Sequence, residues 1–126
     1  MMQRVKDWIR PLAVDRLART LLIIALIANV LAWALLLVRL WPLLTHNSVI
    51  ALHYSIYIGV NDVGRAGWAL LTPLVGLLAL GVNAALARIA YVRARIPAIV
   101  FLGVTALYEF AVLAAAVFVV LSNLKY

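Results

Sequence analysis

Cysteine is absent from this 126-residue sequence, and charged residues are scarce. The missing cysteine excludes a disulfide framework, a thiolate metal site and a thiol nucleophile. Charged residues make up 12% of the chain, whereas soluble proteins average about 25%. A soluble domain of this size needs more polar residues than that to cover its surface. The scarcity of charge therefore excludes a soluble enzyme, a disordered chain and a free nucleic-acid-binding protein.

Apolar residues, in contrast, make up 68% of the chain and gather in three long runs. Each run is close to the ~20 residues that an α-helix needs to cross a bilayer. We therefore expect an all-α membrane protein with three transmembrane helices. The predicted segments are a basic amphipathic N-terminal segment at 1–19, transmembrane helices at 20–41, 67–87 and 98–122, an extracytoplasmic interfacial segment at 42–66, a basic cytoplasmic loop at 88–97 and a C-terminal tail at 123–126.

The N-terminal segment and the prolines set the expected helix boundaries. Val5, Trp8, Ile9 and Leu12 recur at helical spacing among basic residues, which favours an amphipathic helix on the membrane surface. A solvated basic tail is the alternative, because so short a segment is a marginal helix. Proline fits the first turn of a helix and not its interior. We expect a break at Pro11, an end of the first span at Pro42 and a start of the third at Pro97.

The distribution of basic residues predicts the orientation in the membrane. Eight of the eleven precede the first span or lie between the second and third, namely Arg4, Lys6, Arg10, Arg16, Arg19, Arg88, Arg93 and Arg95. Only Arg39, Arg65 and Lys125 fall on the other side. Loops with more lysine and arginine stay in the cytoplasm. We therefore expect a multi-pass membrane protein with a cytoplasmic N-terminus and an extracytoplasmic C-terminus.

The segment between the first two spans is too apolar for an ordinary loop. From Leu52 to Val60 the side chains alternate, with β-branched and aromatic residues on one face. This period of two predicts an extended strand, and the residues Asn61–Gly64 after it are typical of a turn. A lone strand leaves its backbone groups unpaired in lipid, so we expect it at the interface, over the helix ends or paired with another chain. A long interfacial helix is the alternative.

This segment resembles a family of small bacterial three-span membrane proteins of unknown function. The resemblance covers about residues 45–123 and rests on a Leu-His-Tyr-x-x-Tyr-x-Gly signature, with further matches at 72–78 and 83–91. The corresponding interfacial motif comprises Leu52, His53, Tyr54, Tyr57, Gly59, Asp62 and Gly64. Two positions differ, because the family places an acid at Asn61 and an amide at Glu109. The resemblance implies the three-span topology and a location in the bacterial cytoplasmic (inner) membrane, and it implies no activity.

Glu109 is the most informative polar residue, because it lies about midway along the third apolar run. A carboxylate at that depth costs a few kcal/mol, so it should face protein and be protonated or paired. Asn29 lies at a similar depth in the first span, and Thr105 is one turn before Glu109 on the same helix face. These three residues predict either an intramembrane polar clamp between helices or a proton relay. One carboxylate without a second titratable group at depth favours the clamp.

His46 and His53 are the only histidines, and both fall near the outer interface. They are candidate ligands for haem, a chlorophyll-type pigment or a metal. Two histidines without a neighbouring carboxylate or cysteine make a poor metal site, so hydrogen-bonded interfacial histidines are the favoured interpretation. The sequence also lacks a nucleophile–base motif and a phosphate-binding loop. We expect no catalytic residues, no enzyme activity and no metal, and the sequence identifies no cofactor.

Three functions fit these features. The favoured one is a non-catalytic accessory or structural subunit of a larger bacterial membrane protein complex, because three helices bury little surface among themselves. The second is a small self-assembling carrier or proton-linked membrane protein that uses Glu109, and the third is a pigment- or haem-binding subunit that uses His53. The expected partners are the lipid bilayer and either other membrane subunits or further copies of the chain, and not nucleic acid.

Overall fold

The computed structural model describes residues 1–46, 48–55 and 59–123, with the backbone alone for residue 9, residues 52–55 and residues 59–63. Its elements, in chain order, are α1 (Met2–Val14), α2 (Arg16–Thr45), β1 (Val49–Ser55), β2 (Gly59–Arg65), a 3-10 helix (Ala66–Leu70), α3 (Leu71–Arg93) and α4 (Arg95–Asn123). Three helical segments are long and apolar enough to cross a membrane: Arg16–Thr45, Ala66–Arg93 and Arg95–Asn123. The predicted three apolar helices are thereby confirmed.

The long helices form a bundle in which α4 contacts both α2 and α3 more extensively than these two contact each other. Buried residues of α4 recur every three or four positions, which gives one continuous inward face. Leu102 belongs to a cluster at the end of the bundle beside α1, and Val120 belongs to a cluster at the opposite end. We call these the α1 end and the hairpin end. The outer surface is apolar, with Val38 and Leu107 more than 70% exposed, as lipid contact requires.

The predicted break at Pro11 is wrong, because α1 includes this proline and the chain bends at Asp15 instead. Asp15 is extended, with φ −68° and ψ 117°, and its Oδ1 accepts hydrogen bonds from the backbone N–H groups of Leu17 and Ala18 at 3.0 and 3.2 Å. An aspartate in this position caps the first turn of a helix. The cap starts α2 at Arg16, earlier than the predicted residue 20.

The other boundaries also lie beyond the predicted ones. Pro42 does not end α2, which continues to Thr45 because Leu43 and Leu44 pack against the cluster at the hairpin end. The predicted loop 88–97 is reduced to one extended residue, Ala94, between α3 and α4. Arginine and alanine are good helix formers, so the basic sequence continues both helices. Pro97 then falls in the first turn of α4, where its missing N–H costs no helical bond.

The segment between α2 and α3 forms an antiparallel hairpin, whereas the sequence predicts one strand followed by a turn. The register pairs Val49 with Arg65, and the two strands of the hairpin satisfy each other's backbone groups. The predicted turn residues 61–64 lie within β2, and the alternative of an interfacial helix is wrong over β1 and β2. Two register shifts between Ala51 and Tyr54 interrupt the pairing. Residues 56–58, which the sequence predicts to be part of the extended strand, lie outside the described residues.

Candidate functional site

A polar cluster joins all three long helices near the middle of the bundle. The Nδ2 group of Asn29 in α2 donates to the Oε2 of Glu109 in α4 at 2.9 Å and to the backbone carbonyl of Pro73 in α3 at 3.0 Å. Asn29 is 1% exposed, and Glu109 is fully buried. The structure therefore brings together Asn29 and Glu109, which the sequence places at the same depth, and adds the carbonyl of Pro73.

Thr105, the third predicted member, is buried but does not join this cluster. Its hydroxyl donates to the carbonyl of Phe101 in the preceding turn of α4, at 2.7 Å. A threonine in a helix commonly satisfies its hydroxyl in this way. Thr105 therefore packs on the inward face of α4, and the interhelical contact is made by Asn29, Pro73 and Glu109.

Gly76, one of the small residues of the second apolar run, packs directly against the polar cluster. A Cβ atom added at Gly76 lies 2.9 Å from Asn29 Nδ2, 3.0 Å from Glu109 Oε2 and 3.1 Å from Val112 Cγ2. These distances are shorter than ordinary van der Waals contact, so only glycine fits without displacing a neighbour. The signal in the sequence is its position, because Gly76 lies one turn after Pro73 on the same face of α3.

Within the described residues, one oxygen of Glu109, Oε1, is buried without a hydrogen-bond partner. A buried ionised carboxylate requires a paired cation or several donors, and here Asn29 is the donor that reaches the side chain. The geometry is that of an interhelical hydrogen bond with one oxygen left over.

A second interhelical contact, made by Asn123 at the hairpin end, is also absent from the sequence-based prediction. The Oδ1 of Asn123 accepts from the N–H of Ala51 at 2.9 Å, and its Nδ2 donates to the carbonyls of Ala51 and Val119 at 2.7 Å. The amide thus pairs with both backbone groups of one β1 residue, as a neighbouring strand does. The sequence indicates this contact through helical periodicity, because Asn123 lies on the same buried face of α4 as Ala116, Val119 and Val120.

At the α1 end, Asp15 connects the start of α2 to the α3–α4 junction. Arg95 Nε lies 2.6 Å from Asp15 Oδ2, and the Tyr91 hydroxyl donates to the same oxygen at 2.8 Å. The Arg95 guanidinium holds the pKa of the Asp15 carboxyl well below its usual range, and the Ala18 N–H and the Tyr91 hydroxyl lower it further. The carboxylate is therefore ionised at any physiological pH and fixes the bend between α1 and α2.

The predicted interfacial motif lies in the hairpin. Gly59, Asp62 and Gly64 belong to β2, and Leu52, His53 and Tyr54 to β1, whereas Tyr57 lies outside the described residues. His46 directly follows the last residue of α2 and is exposed, and only the backbone of His53 is described. In the described part of the chain, no three histidine, aspartate or glutamate side chains come together in a metal-binding group.

Two cavities lie at the α1 end. One, of about 260 Å³, is an apolar groove between α1, α2 and α3, and the other, of about 360 Å³, lies beside Asp15, Arg16 and Arg95. Glu109 lines neither of them. The polar centre of the bundle is therefore separate from both cavities.

No protein-family model, curated protein or solved structure matches this chain. The similarity of residues 45–123 to small bacterial membrane proteins therefore stays a prediction.

Proposed function

We propose that this chain is a non-catalytic accessory or structural subunit of a larger membrane protein complex in the bacterial cytoplasmic membrane. The observation that carries the proposal is a β-hairpin that is fixed to the bundle through one strand. The Asn123 amide covers the edge of β1 at Ala51. Among the described strands, β2 pairs only with β1. A strand with a neighbouring strand on one side only is a template for a strand of another protein.

The base of the hairpin supports the same role, because it is anchored on both sides. Ile50 is buried in the cluster at the hairpin end, and the Ala66 N–H donates to the Ser48 carbonyl at 2.8 Å. A hairpin held in this way pays little conformational entropy when a partner binds, which favours association.

The polar centre supports a structural role over transport. Asn29, Pro73 and Glu109 are used to hold three helices together, and interhelical hydrogen bonds of this kind contribute about 0.6–2 kcal/mol each. A carrier needs an accessible path to its titrating group, and Glu109 is fully buried in the bundle. The cluster therefore serves the integrity of the bundle.

The α1 end faces the cytoplasm in this proposal. Arg19, Arg88, Arg93 and Arg95 lie at that end, as the bias of basic residues toward the cytoplasm requires. The hairpin end and the C-terminus are then extracytoplasmic. A reporter fused after Tyr126 should be exported, and one inserted at Ala94 should remain in the cytoplasm; a cytoplasmic Tyr126 contradicts this orientation.

Site-specific photocrosslinking tests the subunit proposal. A photoreactive amino acid replaces Arg65, the exposed last residue of β2, or Val38, an exposed residue of α2, as the control. The proposal predicts one discrete protein adduct from position 65 and mainly lipid adducts from position 38. Native mass spectrometry of the protein, extracted from its own membrane, should show a stoichiometric complex with another protein. A monomer or a pure homo-oligomer refutes the accessory-subunit role.

A proton-linked activity is the second candidate, and the unpartnered Oε1 of Glu109 favours it. A buried oxygen without a partner is a place where a proton can be held. Proteoliposomes with an internal pH indicator distinguish the two functions. A proton flux that Glu109→Gln abolishes, with the bundle intact, supports the carrier. If the internal pH changes equally with the unaltered protein and with Glu109→Gln, the result supports the subunit.

A further inference from the structure

The apolar groove at the α1 end has a volume that accommodates part of a single hydrocarbon chain. Its volume is about 260 Å³, and each of three helices contributes to its wall. The wall includes Trp8 and Leu12 of α1, Arg19 and Ile23 of α2, and Gly81 and Ala85 of α3. No atom lies within 4 Å of a Cβ built at Gly81. The groove therefore exists because α3 presents small residues where α1 and α2 pass over it.

Arg19 is the charged residue in the lining of the groove, and Arg88 lies outside the lining but in contact with its Trp8 wall. Arg19 precedes Ile23 in α2, and Arg88 follows Ala85 in the antiparallel α3, so both cations lie toward the α1 end. Arg88 lies over the Trp8 ring, 5.7 Å from its centroid, and its Nε donates to the Trp8 carbonyl. Arg19 is exposed and makes no ion pair within the described part of the chain. A cationic mouth thus leads into an apolar interior.

We propose that this groove binds an anionic phospholipid, with one acyl chain along Gly81 and Ala85 and the phosphate at Arg19 and Arg88. Basic pockets between membrane helices select anionic headgroups, and each nearby basic side chain contributes about 1 kcal/mol, or about fivefold in affinity. The net charge of +7 adds attraction for an anionic lipid over a zwitterionic one. The proposal rests on the helices crossing a bilayer and is independent of the identity of any protein partner.

Trp8 in the wall of the groove provides the assay. A variant with Trp33→Phe, Trp41→Phe and Trp68→Phe leaves Trp8 as the only tryptophan. The protein is reconstituted in phosphatidylcholine vesicles that contain increasing fractions of dibrominated phosphatidylglycerol or dibrominated phosphatidylcholine. We expect half-maximal quenching of Trp8 at a fraction of brominated phosphatidylglycerol at least about fivefold lower than that of brominated phosphatidylcholine.

Two matched pairs of variants localise the effect. Arg19→Gln should raise the half-maximal fraction of brominated phosphatidylglycerol by about fivefold. Arg16→Gln, which removes the same charge from the same turn of α2 but outside the groove, should change it by less than about twofold. Gly81→Leu fills the groove and should abolish the lipid preference. Gly103→Leu, at an equally open position in α4, should leave it unchanged.

Three results overturn the proposal. Equal quenching by both brominated lipids means that the groove has no headgroup preference. Equal effects of Arg19→Gln and Arg16→Gln mean that the preference comes from general surface charge. Protection of Trp8 from quenching by both lipids means that protein fills the groove. As a control, circular dichroism of each variant verifies that the helices are retained.

Discussion

Replacement of Gly76 by alanine should weaken the bundle, although alanine is the better helix former. The added methyl group lies 2.9 Å from Asn29 Nδ2 and 3.0 Å from Glu109 Oε2, the two atoms that form the central hydrogen bond. It also lies 3.1 Å from Val112 Cγ2. Because all three neighbours are buried, none can move into solvent, and either these side chains or α3 itself must be displaced.

Three free-energy terms set the magnitude. The exchange of glycine for alanine in a helix stabilises by about 1 kcal/mol. Overpacking of a buried site costs about 1–3 kcal/mol, and loss of the Asn29–Glu109 bond costs about 0.6–2 kcal/mol. Gly76→Ala should therefore lower the free energy of unfolding by about 1–4 kcal/mol.

Gly81→Ala and Gly103→Ala are the matched controls. Both positions lie in membrane-spanning helices, and no atom lies within 4 Å of a Cβ built at either one. These variants should leave the free energy of unfolding unchanged or raise it by up to about 1 kcal/mol. The assay is reversible unfolding in mixed micelles, titrated with a denaturing detergent and followed by circular dichroism.

A double-mutant cycle connects the effect to the polar cluster. Asn29→Ala removes the atom that the new methyl group approaches most closely, so Gly76→Ala should cost less in that background. Residues in contact couple by about 0.5–3 kcal/mol. If Gly76→Ala destabilises no more than Gly81→Ala, or the two changes at Gly76 and Asn29 are additive, the packing argument is refuted.

Three further predictions concern the other interhelical contacts. Glu109→Gln keeps an acceptor for Asn29 and should preserve the bundle, whereas Glu109→Leu should lower the free energy of unfolding by about 0.6–2 kcal/mol in the same assay. If both variants lower the free energy of unfolding equally, the hydrogen-bond role is contradicted. Asn123→Leu should expose the Ala51 N–H to hydrogen exchange at least about tenfold faster, and unchanged exchange contradicts the amide pairing. The Asp15–Arg95 contact should stabilise the α1 end above pH ~4 and lose that contribution as pH falls through the lowered pKa of Asp15. In Arg95→Gln, NMR titration of the Asp15 carboxyl should give a pKa nearer its ordinary value. An unchanged pKa contradicts the conclusion that Arg95 lowers it.

The sequence alone determines the three spans, because hydrophobic length and the need to pair backbone groups leave few structures possible in lipid. It also predicts that Asn29 and Glu109 lie at one depth, because helical rise converts position in a span directly into depth. Helix ends are less predictable. Pro11 and Pro42 lie within helices because packing and an aspartate cap decide where each helix ends.

Tertiary structure decides the contacts that depend on how the helices rotate and approach one another. The space at Gly76 is closed by side chains from α2 and α4, so its size depends on how these helices pack against α3. The pairing of Asn123 with Ala51 likewise joins residues far apart in sequence, and the hairpin forms because strand pairing satisfies backbone groups that a lone strand leaves open. Hydrophobic periodicity identifies which elements form, and only the packed bundle determines which of their polar atoms meet.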